Sequence, residues 1–85
     1  MIEKTVTVKR RSGLQARPAA LFVQEANKFH SDIFIEKEGK HVNAKSIMGI
    51  MSIAVGADKD IVLQADGQDE EEAMEALVAF VSKEE

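Results

Sequence analysis

The chain has 85 residues, a net charge of -4 and no cysteine. That length suits one small domain, residues 1–85, with a modest core, and the lack of cysteine removes disulfides and thiolate metal sites. The acidic balance disfavours nucleic acid or an anionic membrane as a direct partner. The N-terminal residues hold no apolar signal core, and nothing approaches the roughly 18 apolar residues that a membrane span needs, so a cytoplasmic location with no membrane contact is expected.

Seven short elements follow in order. Ile2, Val6 and Val8 alternate with Thr5 and Thr7, a strand with one buried face. Arg10-Arg11-Ser12-Gly13 breaks it. Pro18 suits the first turn of a helix, where its missing N–H costs nothing; Ala19, Phe22, Ala26 and Phe29 then share one face. A second strand runs from Ile33 to Lys37. Glu38-Gly39 makes a tight turn into a third, Lys40 to Asn43, hence a hairpin. Ser46 opens a short helix expected to end near Gly56. Ile61, Leu63 and Ala65 mark a fourth strand. Asp69 and Glu72 form an acidic variant of the capping box, and Ala73, Ala76, Leu77, Phe80 and Val81 give a last amphipathic helix. The order β-α-β-β-α-β-α, with single apolar faces, predicts an α+β fold of two layers: one sheet with helices on one side. Periodicity alone does not supply the strand order.

The stretch Gly13-Leu14-Gln15-Ala16-Arg17-Pro18 precedes the first helical pattern. A helix start presents unpaired N–H groups and a positive dipole end, which suits a phosphate, and Arg17 adds a fixed charge with bidentate reach. What is missing is a nucleophile: the amide nitrogen of Gln15 is not basic and cannot take a phosphoryl group. A histidine there would make a phosphocarrier site.

Ser46 is placed as an N-cap. Its plain role is to cap a helix, contributing about 1 kcal/mol. Its sharper role is phosphorylation, since a phosphate at a helix start gains from the dipole and free N–H groups. The residues after it favour the second role. Ile47, Met48 and Met51 cluster on one side of the helical wheel; Ile50, Ile53 and Ala54 cluster on another. A helix on one side of a single sheet buries one stripe. Either the second set faces the core and the first is exposed, or loops cover both. The first arrangement is expected, leaving an adaptable methionine-rich surface for a protein partner.

Other residues carry less. His30 and His41 neighbour no glycine-rich loop and no second ligand, so they are read as structural or solvated. The run Asp69-Glu70-Glu71-Glu72 complements a helix dipole, and successive helical residues do not converge on a metal. No P-loop, zinc pattern or serine–histidine–acid set is present. The chain is therefore expected to be no enzyme and to need no cofactor.

Nearly the whole length resembles the HPr family of the bacterial phosphoenolpyruvate-dependent sugar phosphotransferase system. The resemblance is strongest at Gly13-Leu14-Gln15-Ala16-Arg17-Pro18-Ala19 and Lys45-Ser46-Ile47-Met48-Gly49-Ile50-Met51-Ser52. It implies an open-faced β-sandwich of four antiparallel strands in the order 1-4-2-3 under three helices. Family phosphocarriers have histidine where this chain has Gln15; it takes phosphate from Enzyme I and passes it to sugar permeases. The departure implies a family member acting in carbon catabolite repression. Ser46 would be phosphorylated by the ATP-dependent HPr kinase/phosphorylase, and the phosphoserine form would bind the LacI-type repressor catabolite control protein A as corepressor. Leu14, Gln15, Arg17, Lys45, Ile47, Met48 and Met51 would supply the contact surface. A homodimer stays open. The alternatives are a phosphoryl-transfer protein using His30 or His41, or passing phosphate by an unrecognised route, and a constitutive protein-binding module that never needs phosphate.

Overall fold

The computed structural model describes residues 1–11, 13, 14 and 16–83. The elements are β1 (Ile2–Thr7), α1 (Ala16–Ala26), β2 (Asp32–Lys37), β3 (Lys40–Asn43), α2 (Ile47–Ser52), β4 (Asp60–Asp66) and α3 (Glu70–Ser82). The strands form one sheet in the order β1-β4-β2-β3, and every neighbouring pair is antiparallel. Both the element order and the expected strand order hold.

Register turns the period-two patterns into faces. Ile2 stands opposite Ala65, which stands opposite Ile33; Leu63 stands opposite Ile35, which stands opposite Val42. Ile33, Ile35, Ile61, Leu63 and Ala65 are buried beneath the helices, with Ala19, Phe22 and Ala26 of α1, Ile50 of α2 and Ala73, Met74, Leu77 and Val81 of α3. α3 covers β1 and β4, α2 lies beside β3, and α1 packs on both other helices. The rings of Phe22 and Phe80 meet edge to face, 5.7 Å between centroids. Arg10, although charged, is almost wholly buried. Its guanidinium lies 3.7 Å from the centre of the Phe80 ring, and its Nε donates to the Phe80 carbonyl at 2.9 Å. That carbonyl belongs to the last turn of α3, where a cation offsets the negative dipole end.

The other sheet face is open. There the His41 ring stacks on Phe34 at 4.9 Å, and His41 Nε2 meets Gln64 Oε1 at 2.7 Å. Gln64 Nε2 donates to Glu3 Oε1 at 2.8 Å. Side chains from all four strands thus meet across this face. The β2–β3 hairpin turns through Glu38 (φ 51) and Gly39 (φ 84), the two positive φ values of a type I′ turn.

Three expectations need correction. α2 does not run to Gly56: it ends at Ser52, with Ile53 as its C-cap. Ala54 then adopts a left-handed φ of 46, which ends a helix as surely as a glycine, and Lys37 Nζ donates to the carbonyls of Ile53 and Ala54 at 3.2 and 3.1 Å. Ala54 is exposed and leaves the buried set to Ile50 and Ile53. Phe29 lies beyond the end of α1, in the turn toward β2, yet packs on the core.

The third correction is at the start of α3. Asp69 is the N-cap residue, but its side chain makes no cap bond. Its carboxylate instead accepts from the backbone N–H groups of His30 and Ser31 at 2.8 and 2.9 Å, and from the Ser31 hydroxyl. The Ser31 hydroxyl, then the His30 N–H, hold its pKa down at about 2. Glu70, not Glu72, reaches back, accepting from Gly67 N–H at 3.1 Å and pairing with the N-terminal ammonium at 3.0 Å. Both contacts hold Glu70 below the usual carboxylate range, the Gly67 bond most.

Candidate phosphorylation site and docking face

The β1–α1 loop is held from behind by the segment after α2. Leu14 N–H donates to the Val55 carbonyl at 2.9 Å, and Gly13 N–H to the Arg10 carbonyl at 3.0 Å. Gly13 has a φ of +60, and a Cβ there would come within 2.1 Å of the Val55 oxygen. Only glycine fits such an approach. Leu14 is fully buried, so it belongs to the core and is removed from the expected contact surface. Arg17 on α1 and Met48 and Met51 on α2 are exposed. Gln15 lies outside the described residues.

Ser46 is built as the sequence implied. Its backbone is extended (φ -109, ψ 118), and its Oγ accepts from Gly49 N–H at 3.1 Å. Its carbonyl accepts from Ile50 N–H at 3.0 Å, and its own N–H donates to the Asn43 carbonyl at 3.1 Å. Asn43 Oδ1 takes Lys45 N–H at 2.8 Å, so Asn43 fixes the approach to α2 through both its carbonyls. Nothing in the local pattern had singled Asn43 out, although asparagine is a known turn-former through its own side chain. Gly49 leaves room for the turn: a Cβ there would press on the Asn43 oxygen at 3.2 Å and Val42 Cβ at 3.3 Å.

Lys45 departs from expectation. It is half-buried, and its Nζ donates to the Phe29 carbonyl at 2.7 Å. Its charge is engaged within the fold, tying the α2 approach to the turn after α1. The apolar patch is where it was expected: Met48 is 77% exposed, Met51 53% and Ile47 38%, while Ile50 beneath them is fully buried. α1 and α2 are packed neighbours, so Arg17 and the patch belong to adjoining helices.

The two histidines lie apart from this arrangement. His30 is exposed, before β2, and His41 is engaged on the open sheet face with Phe34 and Gln64. Among the described residues neither ring is paired with an arginine, and His30 meets the start of α3 through its backbone N–H, which donates to Asp69. Among the described residues no three histidine or carboxylate groups converge as metal ligands, and no helix is long and apolar enough to cross a membrane. An open hollow of about 300 Å³ is lined by Gly67 to Glu72 and includes none of the residues around Ser46.

A capping serine at a helix start and a four-stranded antiparallel sheet with three helices point to one known family. Its model, PTS HPr component phosphorylation site, matches residues 2–83. The chain belongs to the HPr family. It is 68% identical to the HPr-like protein Crh of Halalkalibacterium halodurans, over 99% of this chain and 100% of that protein. It is 64% identical to the phosphocarrier protein HPr of Bacillus anthracis, with a TM-score of 0.94 over 95% of this chain and 96% of that one. Against Crh of Bacillus subtilis, whose crystal structure is a dimer with a swapped domain, the identity is 60% and the TM-score 0.79, over 99% and 97% of the two chains. HPr family members are phosphocarriers or regulators, so this HPr-like chain is not an enzyme. High identity to both a carrier and a Crh means that overall similarity does not separate the two roles. Individual residues must.

Proposed function

We propose that this HPr-like protein is a phosphoserine switch of carbon catabolite repression in the cytoplasm, not a phosphocarrier. The HPr kinase/phosphorylase phosphorylates Ser46 at the expense of ATP, and the modified protein acts as corepressor of the LacI-type catabolite control protein A. The observation that carries the reading is the junction at Ser46: its Oγ caps α2 directly beside exposed Ile47, Met48 and Met51. A phosphate there meets free N–H groups and the positive dipole end, next to apolar surface. Charge steers and selects, while desolvated apolar area holds. Gln15, at the place of the family's phosphoryl-accepting histidine, supports the loss of carrier activity. Arg17 supplies a neighbouring cation for an acidic group on the repressor.

Self-association is part of the reading, on the strength of the swapped dimer of the Bacillus subtilis relative. Light scattering on the purified chain tests it.

Two labelling experiments test the main claim. ATP with the kinase should label the parent and leave Ser46→Ala unlabelled; persistent label on Ser12, Ser31 or Ser52 refutes the site. Phosphoenolpyruvate with Enzyme I should label neither, and an acid-labile phosphohistidine at His30 or His41 would revive the carrier alternative. Repressor binding that is equal before and after kinase treatment refutes the switch.

A further inference from the structure

The chain has four methionines and no cysteine, tryptophan or tyrosine. An oxidant that meets this protein therefore has the thioethers as its main target. The fold sorts them sharply. Met74 faces the core from α3 and is 2% exposed, whereas Met48 and Met51 stand one turn apart on the outward side of α2. Met1 is also exposed, at the chain terminus. So the oxidisable surface within the folded body is concentrated on one helix, immediately beyond the residue that carries the cap.

We infer that Met48 and Met51 form a reversible oxidation site whose co-substrate is a two-electron oxygen donor of the peroxide class. The sulfur lone pair attacks one peroxide oxygen; the S–O bond forms, the O–O bond breaks, and the departing hydroxide leaves as water after taking the proton of the sulfur-bound oxygen. The sulfur loses two electrons and the peroxide gains them. Reversal by a methionine sulfoxide reductase expels the oxygen as water while two thiols of a dithiol reductant become a disulfide. Each sulfoxide replaces an apolar thioether with a polar, chiral group. Because neither side chain belongs to the buried core, oxidation leaves the core packing in place. What changes is the patch beside Ser46, which turns polar at two of its three members. This consequence rests on the function proposed above: phosphate on Ser46 enables docking, and oxygen on Met48 and Met51 loosens it without removing the phosphate.

The test uses the full chain and hydrogen peroxide, quenched over time and mapped by peptide mass. One oxygen should appear on each of Met48 and Met51 at least about tenfold faster than on Met74, whose reaction needs local opening. The melting temperature should stay put, and the reductases with dithiothreitol should remove both oxygens. Oxidation of Met74 at the rate of Met48, unfolding on oxidation, or resistance to the reductases overturns the site. A second arm titrates the repressor with kinase-treated protein. Peroxide should raise Kd at least about tenfold, and the reductases should restore it. The Met48→Leu, Met51→Leu double variant, compared only with itself before and after peroxide, should show no change. Equal binding by oxidised and unoxidised protein overturns the consequence for docking. Failure of the unoxidised, phosphorylated protein to bind overturns the proposed function instead, and the oxidation map still decides the site.

Discussion

Leu14→Ala and Met51→Ala form a paired perturbation that separates core from docking surface. Leu14 is fully buried, its N–H bonded to Val55. Truncation removes three carbons from a packed site and leaves a cavity, at a cost of about 2–5 kcal/mol. In a domain of this size each kcal/mol lowers Tm by about 4–8 °C, so the fall should be at least about 8 °C. Met51 is 53% exposed on α2. Its truncation encloses no cavity, and alanine is the better helix former, so stability should stay within about 0.5 kcal/mol of the parent. Binding should show the reverse order. Measured well below either Tm with kinase-treated protein, Met51→Ala should raise the repressor Kd about tenfold, the equivalent of about 1.4 kcal/mol, while Leu14→Ala should bind nearly as the parent does. Thermal denaturation and isothermal titration read the two quantities. If Met51→Ala melts as low as Leu14→Ala, or binds as the parent does, the α2 patch is not the docking surface.

Three further outcomes are expected. Arg17→Ala should weaken repressor binding mainly through charge, so its penalty should shrink between low salt and physiological salt, where the Debye length is about 8 Å; a salt-independent loss in titrations would mean Arg17 acts through shape. Ala54→Gly should relieve the left-handed strain at φ 46, worth about 1–2 kcal/mol, against about 0.4–1 kcal/mol of added chain entropy; urea melts should show a small net gain, and a loss would mean Ala54 is unstrained. Asp69, unfolded near 3.9 and held at about 2 when folded, contributes stability that is fully present above about pH 4 and is lost as pH falls to about 2; Asp69→Asn should flatten this acid limb of the urea-derived stability curve, and an unchanged slope would refute the Asp69 assignment.

Much of this was legible in the linear pattern, and for identifiable reasons. Alternation at Ile33 to Lys37 and at Ile61 to Ala65 marked strands because a pleated backbone sends successive side chains to opposite faces. Glu38-Gly39 marked the hairpin because its turn type demands positive φ. Ser46 marked the start of α2 because its hydroxyl accepts from an N–H three residues on. Each of these signals is local: its cause and its effect lie within a few residues.

What the pattern left open was decided by groups distant in the chain. The helical wheel of α2 offered two apolar stripes, and contact with the core chose Ile50 and Ile53, leaving Ile47, Met48 and Met51 outside. Leu14 was expected on the contact surface from the family resemblance, yet it is buried, and its N–H is held by the carbonyl of Val55, far along the chain. Asp69 had the spacing of a capping box, but two N–H groups and a hydroxyl at residues 30 and 31 outcompeted its own helix for the carboxylate. Lys45 was expected among the docking residues, and the Phe29 carbonyl holds its ammonium. The sequence by itself determined the elements, the capping serine and the family, since periodicity and short motifs are properties of neighbouring residues. The tertiary structure settled the choice between the two apolar sides of α2 in favour of the expected one, and it alone decided which polar side chains remain free, because that depends on competition among partners that only folding brings together.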